Sequence, residues 1–290
     1  MDNVVVEQAR AKVNLDLRVG PPRSDGYHDL DSVVVFAELS DTLRFEPAEG
    51  LSLAVDGPQA SSLDGEPNNL IVRAARALAA AFDVSAGARI HLTKRLPVAA
   101  GVGGGSADAA ASLRGLSRLW DVRTAPERLA GLALALGADV PACLICEPLV
   151  MTGLGERITR FEAFPTLDVL LVNPGVKTPT GAVFRAYDAA APAALPARRW
   201  PSRLDRTELL ERLRASRNDL EAPAGALTSA VTQTLTALSA LPGVELARMS
   251  GSGATVMAVF ADAEAARAAA TALETAHPGW RLWSTRLLGA

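Results

Sequence analysis

Pro97-Val98-Ala99-Ala100-Gly101-Val102-Gly103-Gly104-Gly105-Ser106-Ala107 places four glycines within five residues and runs straight into a helical apolar pattern. That pattern predicts a helix from about Ser106 to Trp120, with Leu113, Leu116 and Trp120 on its apolar face. Glycines remove the Cβ atoms that hold a backbone away from a phosphate, and they permit positive φ. Successive N–H groups can then converge on an anion, and the following helix adds the positive end of its dipole. Two familiar phosphate loops are excluded by spacing. Walker A needs a lysine after its glycines, and none follows here. A GxGxxG fingerprint begun at Gly101 meets Ser106 where its last glycine should stand. By itself the loop reads equally well as a phosphate cradle or as a tight strand-to-helix turn.

Upstream of the loop, Ile90, Leu92 and Leu96 suggest a strand, and Asn68–Phe82 has helical spacing with Asn68 or Asn69 as N-cap. Strands are expected at Leu51–Val55 and Ser32–Glu38. Ala9–Val19 alternates cleanly, with Lys12, Asn14 and Asp16 on the polar side, and predicts one strand with one buried face. Downstream, Pro126–Leu136 is a predicted helix stopped by Gly137, and Leu167–Val172 a continuous apolar strand. Ala189–Pro201 reads as an exposed Ala/Pro-rich connection. Val244–Met249 and Ala254–Phe260 read as strands paired across Gly251-Ser252-Gly253, followed by helix Ala263–Ala276 and strand Trp280–Thr285. Strands and helices are mixed rather than strictly alternating, so the expectation is α+β with two lobes, residues 1–162 and 163–290.

The chain has 290 residues, 49% of them hydrophobic, enough for a sizeable core. With 21% charged residues, a net charge of −3 and no basic run, the footprint for nucleic acid is missing. No stretch approaches the roughly 20 apolar residues that cross a bilayer, and the N-terminus has no basic n-region. A cytoplasmic protein that contacts neither membrane nor nucleic acid is expected. Cys143 and Cys146 form a lone CxxC, read as two small apolar side chains in a buried strand rather than a redox pair.

Lys12 and Asn14 are either a solvated face or part of a site. Asp139, in Gly137-Ala138-Asp139-Val140-Pro141, is either a turn-former or a functional carboxylate. Together Lys12 and Asp139 offer what phosphoryl transfer to an alcohol requires: a carboxylate to orient the hydroxyl and take its proton, and a cation to offset charge. Tyr27 and His28 leave the turn Asp25-Gly26 and suit a planar heterocycle, or simply anchor a loop. Gly251-Ser252-Gly253 is a tight turn that could bring amides close to a phosphate.

In this order the pieces resemble the GHMP kinase superfamily, whose three motifs match the Ala11-Lys12-Val13-Asn14-Leu15 strand, the loop Pro97–Ala110 and Met249-Ser-Gly-Ser-Gly253-Ala. Within it, Asp25-Gly-Tyr-His, Asn69-Leu-Ile-Val-Arg73, Lys94-Arg-Leu-Pro97 and Asn218-Asp-Leu-Glu221 resemble the branch whose acceptor carries a cytidine diphosphate group. The similarity runs from about residue 9 to 260. It implies an N-terminal mixed α+β lobe, a C-terminal lobe with a ferredoxin-like element, and ATP and substrate meeting between them. It implies an ATP- and Mg2+-dependent kinase for the 2-hydroxyl of a methylerythritol derivative in the non-mevalonate route to isoprenoid precursors. Asp139 matches the base and Lys12 the catalytic lysine, with Asn14 near the substrate. Tyr27, His28 and Phe184 match a cytosine clamp, reached through Thr180. Asn69, Lys94 and the loop Pro97–Ala107 match the nucleotide contacts, with Ser106 helping to order phosphate or Mg2+, and no residue is assigned as a metal ligand. A monomer or weak homodimer is expected. The rivals are a sister kinase for another small alcohol and a non-catalytic nucleotide sensor; the presence of both Lys12 and Asp139 argues against the latter. Three positions depart from the superfamily pattern: Ala99 and Ala100 stand where at least one glycine is usual, and Asp16 replaces an apolar or aromatic residue.

Overall fold

A computed structural model describes residues 4–63, 68–98 and 100–290. Along the chain lie β1 (Val5–Asn14), β2 (Arg18–Pro22), β3 (His28–Ala48), β4 (Leu51–Asp56), α1 (Leu70–Ala81), β5 (Gly87–Thr93), α2 (Gly104–Leu119), α3 (Pro126–Leu136) and α4 (Val140–Ile145). Then follow β6 (Leu149–Gly153), β7 (Arg157–Arg160), β8 (Leu167–Asn173), α5 (Thr180–Asp188), α6 (Arg206–Arg214), α7 (Glu221–Leu227) and α8 (Ser229–Ser239). Last come β9 (Val244–Met249), β10 (Val256–Phe260), α9 (Ala263–Ala276) and β11 (Arg281–Leu287). These elements form two compact units, one from Met1–Ala11, Ser40–Val98 and Gly103–Cys146, the other from Lys12–Leu39, Ala99–Val102 and Glu147–Ala290. The units interleave along the chain, so no single cut in the sequence separates them.

In the first unit, the second half of β3 pairs antiparallel with β5, and β4 lies parallel to β5 with α1 in the connection. Asn69 caps α1, its side chain accepting the Ile71 N–H at 2.9 Å. Phe45, Ile71, Leu78, Ile90, Leu92 and Leu113 fill the core. Gly115 lets the Phe45 ring lie against α2, since a Cβ there would overlap the ring.

In the second unit, β8, β9, β10 and β11 form an antiparallel sheet in the order β11-β8-β10-β9. Helices follow β8 and β10, so the chain order is β-α-β-β-α-β, the ferredoxin-like element the resemblance implies. Leu170, Val172, Val231, Leu238, Val256, Phe260 and Leu273 form its core. The first half of β3 pairs with β2 and β6.

Three local expectations are corrected. The alternating run Ala9–Val19 is two strands, broken after Asn14, and its polar side is not solvated: Lys12, Asn14 and Asp16 are 4%, 1% and 0% exposed. Alternation separates two faces of a strand but does not say that one of them is wet. The second strand extends well beyond Ser32–Glu38, because polar residues at both ends still pair in the ladder. Cys143 lies in helix α4, not a strand, and Cys146 is its left-handed C-cap at φ 57°. Pro141 fits the first turn of that helix, where no amide donor is needed.

Candidate active site

The first unit carries the start of α2. Gly103 is its N-cap at φ 62°, and no side chain caps the helix. The first-turn N–H groups, those of Gly104, Gly105 and Ser106, therefore have no intrahelical acceptor; the first helical bond runs from Ala107 N–H to Gly103 O at 2.8 Å. Gly105 is exposed, Gly103 and Ser106 half-buried, and Gly104 and Ala107 buried. Pro97 is buried and Val98 half-buried where the loop begins, and Ala99 lies outside the described residues. This leaves a short polar ridge of Gly103, Gly105 and Ser106 at the positive end of a helix dipole, a place for an anion.

Lys94 was expected at the nucleotide, but its ammonium is spent inside this unit. It donates to Asp41 Oδ2 and Asp108 Oδ2, both at 2.6 Å, with all three side chains buried. Its main chain is also used, donating to Asp56 O and accepting from Gln59 N–H. Burial pushes the Asp108 carboxyl up to about 7, with Lys94 opposing and Asp41 adding to the rise. Asp139 stands at the N-cap position of α4, half-buried, and its carboxylate does not cap the helix.

The second unit gathers the other residues. Lys12 donates its amide to Val102 O at 2.9 Å. Asn14 donates its amide to Ser250 Oγ at 3.1 Å and its Nδ2 to Ser32 Oγ at 2.7 Å; its buried Oδ1 has no partner among the described residues. Ser250 Oγ in turn donates to Gly101 O at 3.0 Å. Gly101, at φ 77°, has no room for a side chain, since a Cβ would lie 2.6 Å from Ser250 O and 2.8 Å from Gly253 O. Two glycine turns thus meet backbone to backbone beside Asn14, with the Thr255 amide bonded to Ala100 O at 3.1 Å. Ala100 is accommodated there, 4% exposed.

The turn before β3 brings the heterocycle-binding candidates together. His28 is 4.8 Å from Phe184 between ring centroids, and its Nε2 lies 2.7 Å from Asp188 Oδ1. A carboxylate at that distance assigns the proton to Nε2. Tyr27 precedes them, 63% exposed, on a turn closed by its amide bond to Asp25 Oδ1 at 3.1 Å. Thr180 opens α5 with its hydroxyl 2.9 Å from Ser252 Oγ.

Comparison with known proteins bears on this constellation. The family models described as GHMP kinases N terminal domain and GHMP kinases C terminal match residues 69–147 and 202–279. The 4-diphosphocytidyl-2-C-methyl-D-erythritol kinase of Cereibacter sphaeroides is 51% identical over 97% of this chain and 98% of its own. That of Paramagnetospirillum magneticum is 50% identical over 97% of this chain and 98% of its own. The chain belongs to the 4-diphosphocytidyl-2-C-methyl-D-erythritol kinase family. It is therefore an ATP-dependent phosphotransferase of the GHMP type. A crystal structure of 4-(cytidine 5'-diphospho)-2C-methyl-D-erythritol kinase superposes with a TM-score of 0.79 at 34% identity, covering 98% of this chain and 100% of that one. Homoserine kinase from Cytophaga hutchinsonii shares the fold at 15% identity, with a TM-score of 0.71 and coverage of 99% and 95%.

Several polar groups of this family member escaped the sequence reading. Asp16, a departure from the superfamily pattern, accepts the Val33 N–H at 2.8 Å through Oδ1 and binds Ser216 Oγ and the Arg198 guanidinium through Oδ2. Asp188, Ser32, Asp41 and Asp108 were also missed. Their partners are distant in sequence, and only Asp108, an acid inside an alanine-rich helix face, left a local trace.

Proposed function

We propose that this kinase transfers the γ-phosphoryl group of ATP to the 2-hydroxyl of 4-diphosphocytidyl-2-C-methyl-D-erythritol, in the cytoplasm, on the non-mevalonate route to isoprenoid precursors. The observation that carries the acceptor assignment is the His28–Phe184 ring pair, fixed by Asp188 and preceded by the exposed Tyr27. An aromatic pair with a fixed tautomer and a second, uncovered ring suits a planar base held by stacking and hydrogen bonds. The identity to enzymes named for this substrate, over nearly the whole chain, supports the same reading.

The uncapped start of α2, with Gly103, Gly105 and Ser106, holds the donor phosphates in this reading. Mg2+, when bound, would supply charge neutralisation to those phosphates. Among the described residues no group of three acids, histidines or cysteines could hold a metal by itself. The Ser106 hydroxyl is the side chain that would help hold the ion beside the donor phosphates.

Asp139 orients the acceptor hydroxyl and takes its proton, while the Lys12 ammonium offsets charge on the transferring group. A carboxylate is a weak base for an alcohol, but in a loose, metaphosphate-like transition state the proton leaves late, so positioning and charge carry the rate. Asn14 and Thr180 line the acceptor. Asp139→Asn and Lys12→Ala are each expected to lower kcat by about 10² or more with the fold intact. Near-normal turnover of Asp139→Asn in an ADP-release assay overturns the base assignment.

A further inference from the structure

Helix α5 meets His28 with three side chains. Phe184 lies three and four residues before Tyr187 and Asp188, so all three fall on one helix face. The Phe184 and Tyr187 rings stand 4.8 and 6.2 Å from the His28 ring between centroids, the first tilted and the second edge-on. Tyr187 is itself anchored, its hydroxyl donating to Val19 O. The start of the helix is anchored too, through the Thr180 and Ser252 hydroxyls at 2.9 Å. Two rings therefore fix where the imidazole lies, and Asp188 Oδ1, 2.7 Å from Nε2, fixes its rotation.

An acid is a poor choice for this place in the helix. Asp188 is the last residue of α5, where the negative end of the helix dipole disfavours a carboxylate. Among the described residues the side-chain partner of that carboxylate is His28. A residue that breaks the local rule of its own helix and turns to an imidazole serves the imidazole. An ionised carboxylate only accepts, so Nε2 carries the proton. In the neutral ring the other nitrogen, Nδ1, is then an acceptor, and it has no hydrogen bond among the described residues. The buried ring thus presents a fixed lone pair beside Phe184.

We propose that Asp188 is a positioning residue that sets the base preference of the acceptor site, holding the His28 proton on Nε2 so that Nδ1 accepts a hydrogen bond from an exocyclic amino group. Cytosine offers an N4 amino donor at the place where uracil offers the O4 acceptor. A lone pair facing O4 would leave two acceptors opposed and unpaired, which costs more than a missing bond. Asp188 does not touch the base; it acts through His28. The inference rests on the acceptor reading proposed above and adds the residue that tells a cytidine diphosphate from a uridine diphosphate.

The test is the affinity of the full chain for CDP and for UDP by calorimetry, in the wild type and in Asp188→Ala, Asp188→Asn and Asp188→Glu. The wild type is expected to bind CDP about tenfold or more tighter than UDP. In Asp188→Ala the two should come within about threefold, the loss falling on CDP, because the freed ring can put its proton on either nitrogen. Asp188→Glu keeps an acceptor-only group and should retain more of the preference than Asp188→Asn, whose amide can donate to Nε2 and turn Nδ1 into a donor. A role in packing alone gives the opposite order, since asparagine is the isosteric replacement, and that order overturns the proposal. Asp188→Ala made in a His28→Ala background should add little, as expected of a residue that acts through the ring. In steady-state assays Asp188→Ala should raise KM for the cytidyl acceptor about tenfold while KM for ATP holds. A CDP to UDP ratio unchanged in Asp188→Ala, or a wild type with no preference, overturns the proposal even if the chain phosphorylates the cytidyl acceptor. A chain that shows the expected ratios but does not phosphorylate that acceptor breaks the functional reading and leaves this one standing.

Discussion

Lys94 offers one compact ammonium to Asp41 and Asp108, whereas Arg198 spreads a planar guanidinium over Asp16, Asp31 and Ser216. The first cluster lies in one compact unit and the second in the other. In the second, Arg18 also reaches Asp31 at 3.3 Å, so two arginines face two carboxylates and the charges balance. Burial works against the Arg198 proton, yet Asp16 and Asp31 more than offset it. Arg198 also lies over the Trp200 ring, 4.8 Å from its centroid, and Arg18 holds Pro196 O at 2.9 Å. The balanced cluster fastens the irregular stretch 189–201 to the strands beneath it. The unbalanced one keeps a titratable acid beneath the first turn of α2. A fork suits fastening because its fixed donors define a geometry; a point charge tolerates a change in its partners.

The contrast can be broken in four ways. Lys94→Met, which leaves two buried acids facing each other, is expected to cost about 3–5 kcal/mol in urea unfolding. Arg198→Met is expected to cost about 2–3 kcal/mol, less because its side chain is 20% exposed, while ATP affinity holds. A loss of stability as large as that of Lys94→Met would erase the distinction between a balanced and an unbalanced cluster. Asp108, with its carboxyl raised to about 7, binds more protons in the folded than in the unfolded state between about pH 4 and pH 7. Its contribution is therefore fully present at low pH and lost as pH rises through 7, a change on the order of 4 kcal/mol that Asp108→Asn should flatten in pH-resolved melts. Arg18→Ala, which removes only the outer partner of Asp31, should cost about 1 kcal/mol or less.

What the sequence disclosed was what local chemistry determines. Helix α9 begins and ends where expected because Asp262 caps it, accepting the Ala265 amide at 2.9 Å. Helix α3 is bracketed by Pro126 and Gly137 in the same way. Helix α2 begins two residues before the expected Ser106 because Gly103 turns the chain. The burial of Lys12, Asn14 and Asp16 was hidden, since both faces of that strand are covered by segments far along the chain. Asp41 and Lys94 are 53 residues apart, and no local pattern joins them. Asp16 looked like an unexplained departure until Arg198, 182 residues away, supplied its counter-charge.

The sequence contains two tyrosines, and they stand at opposite extremes of exposure. Tyr27 is 63% exposed, whereas Tyr187 is 9% exposed, with its hydroxyl bonded to Val19 O and its ionisation disfavoured by burial. Tetranitromethane, which attacks accessible phenolate, should therefore mark Tyr27 and spare Tyr187. The chain carries a built-in label and an internal reference, and a label on Tyr27 that fades on adding cytidine nucleotides would test the proposed acceptor site.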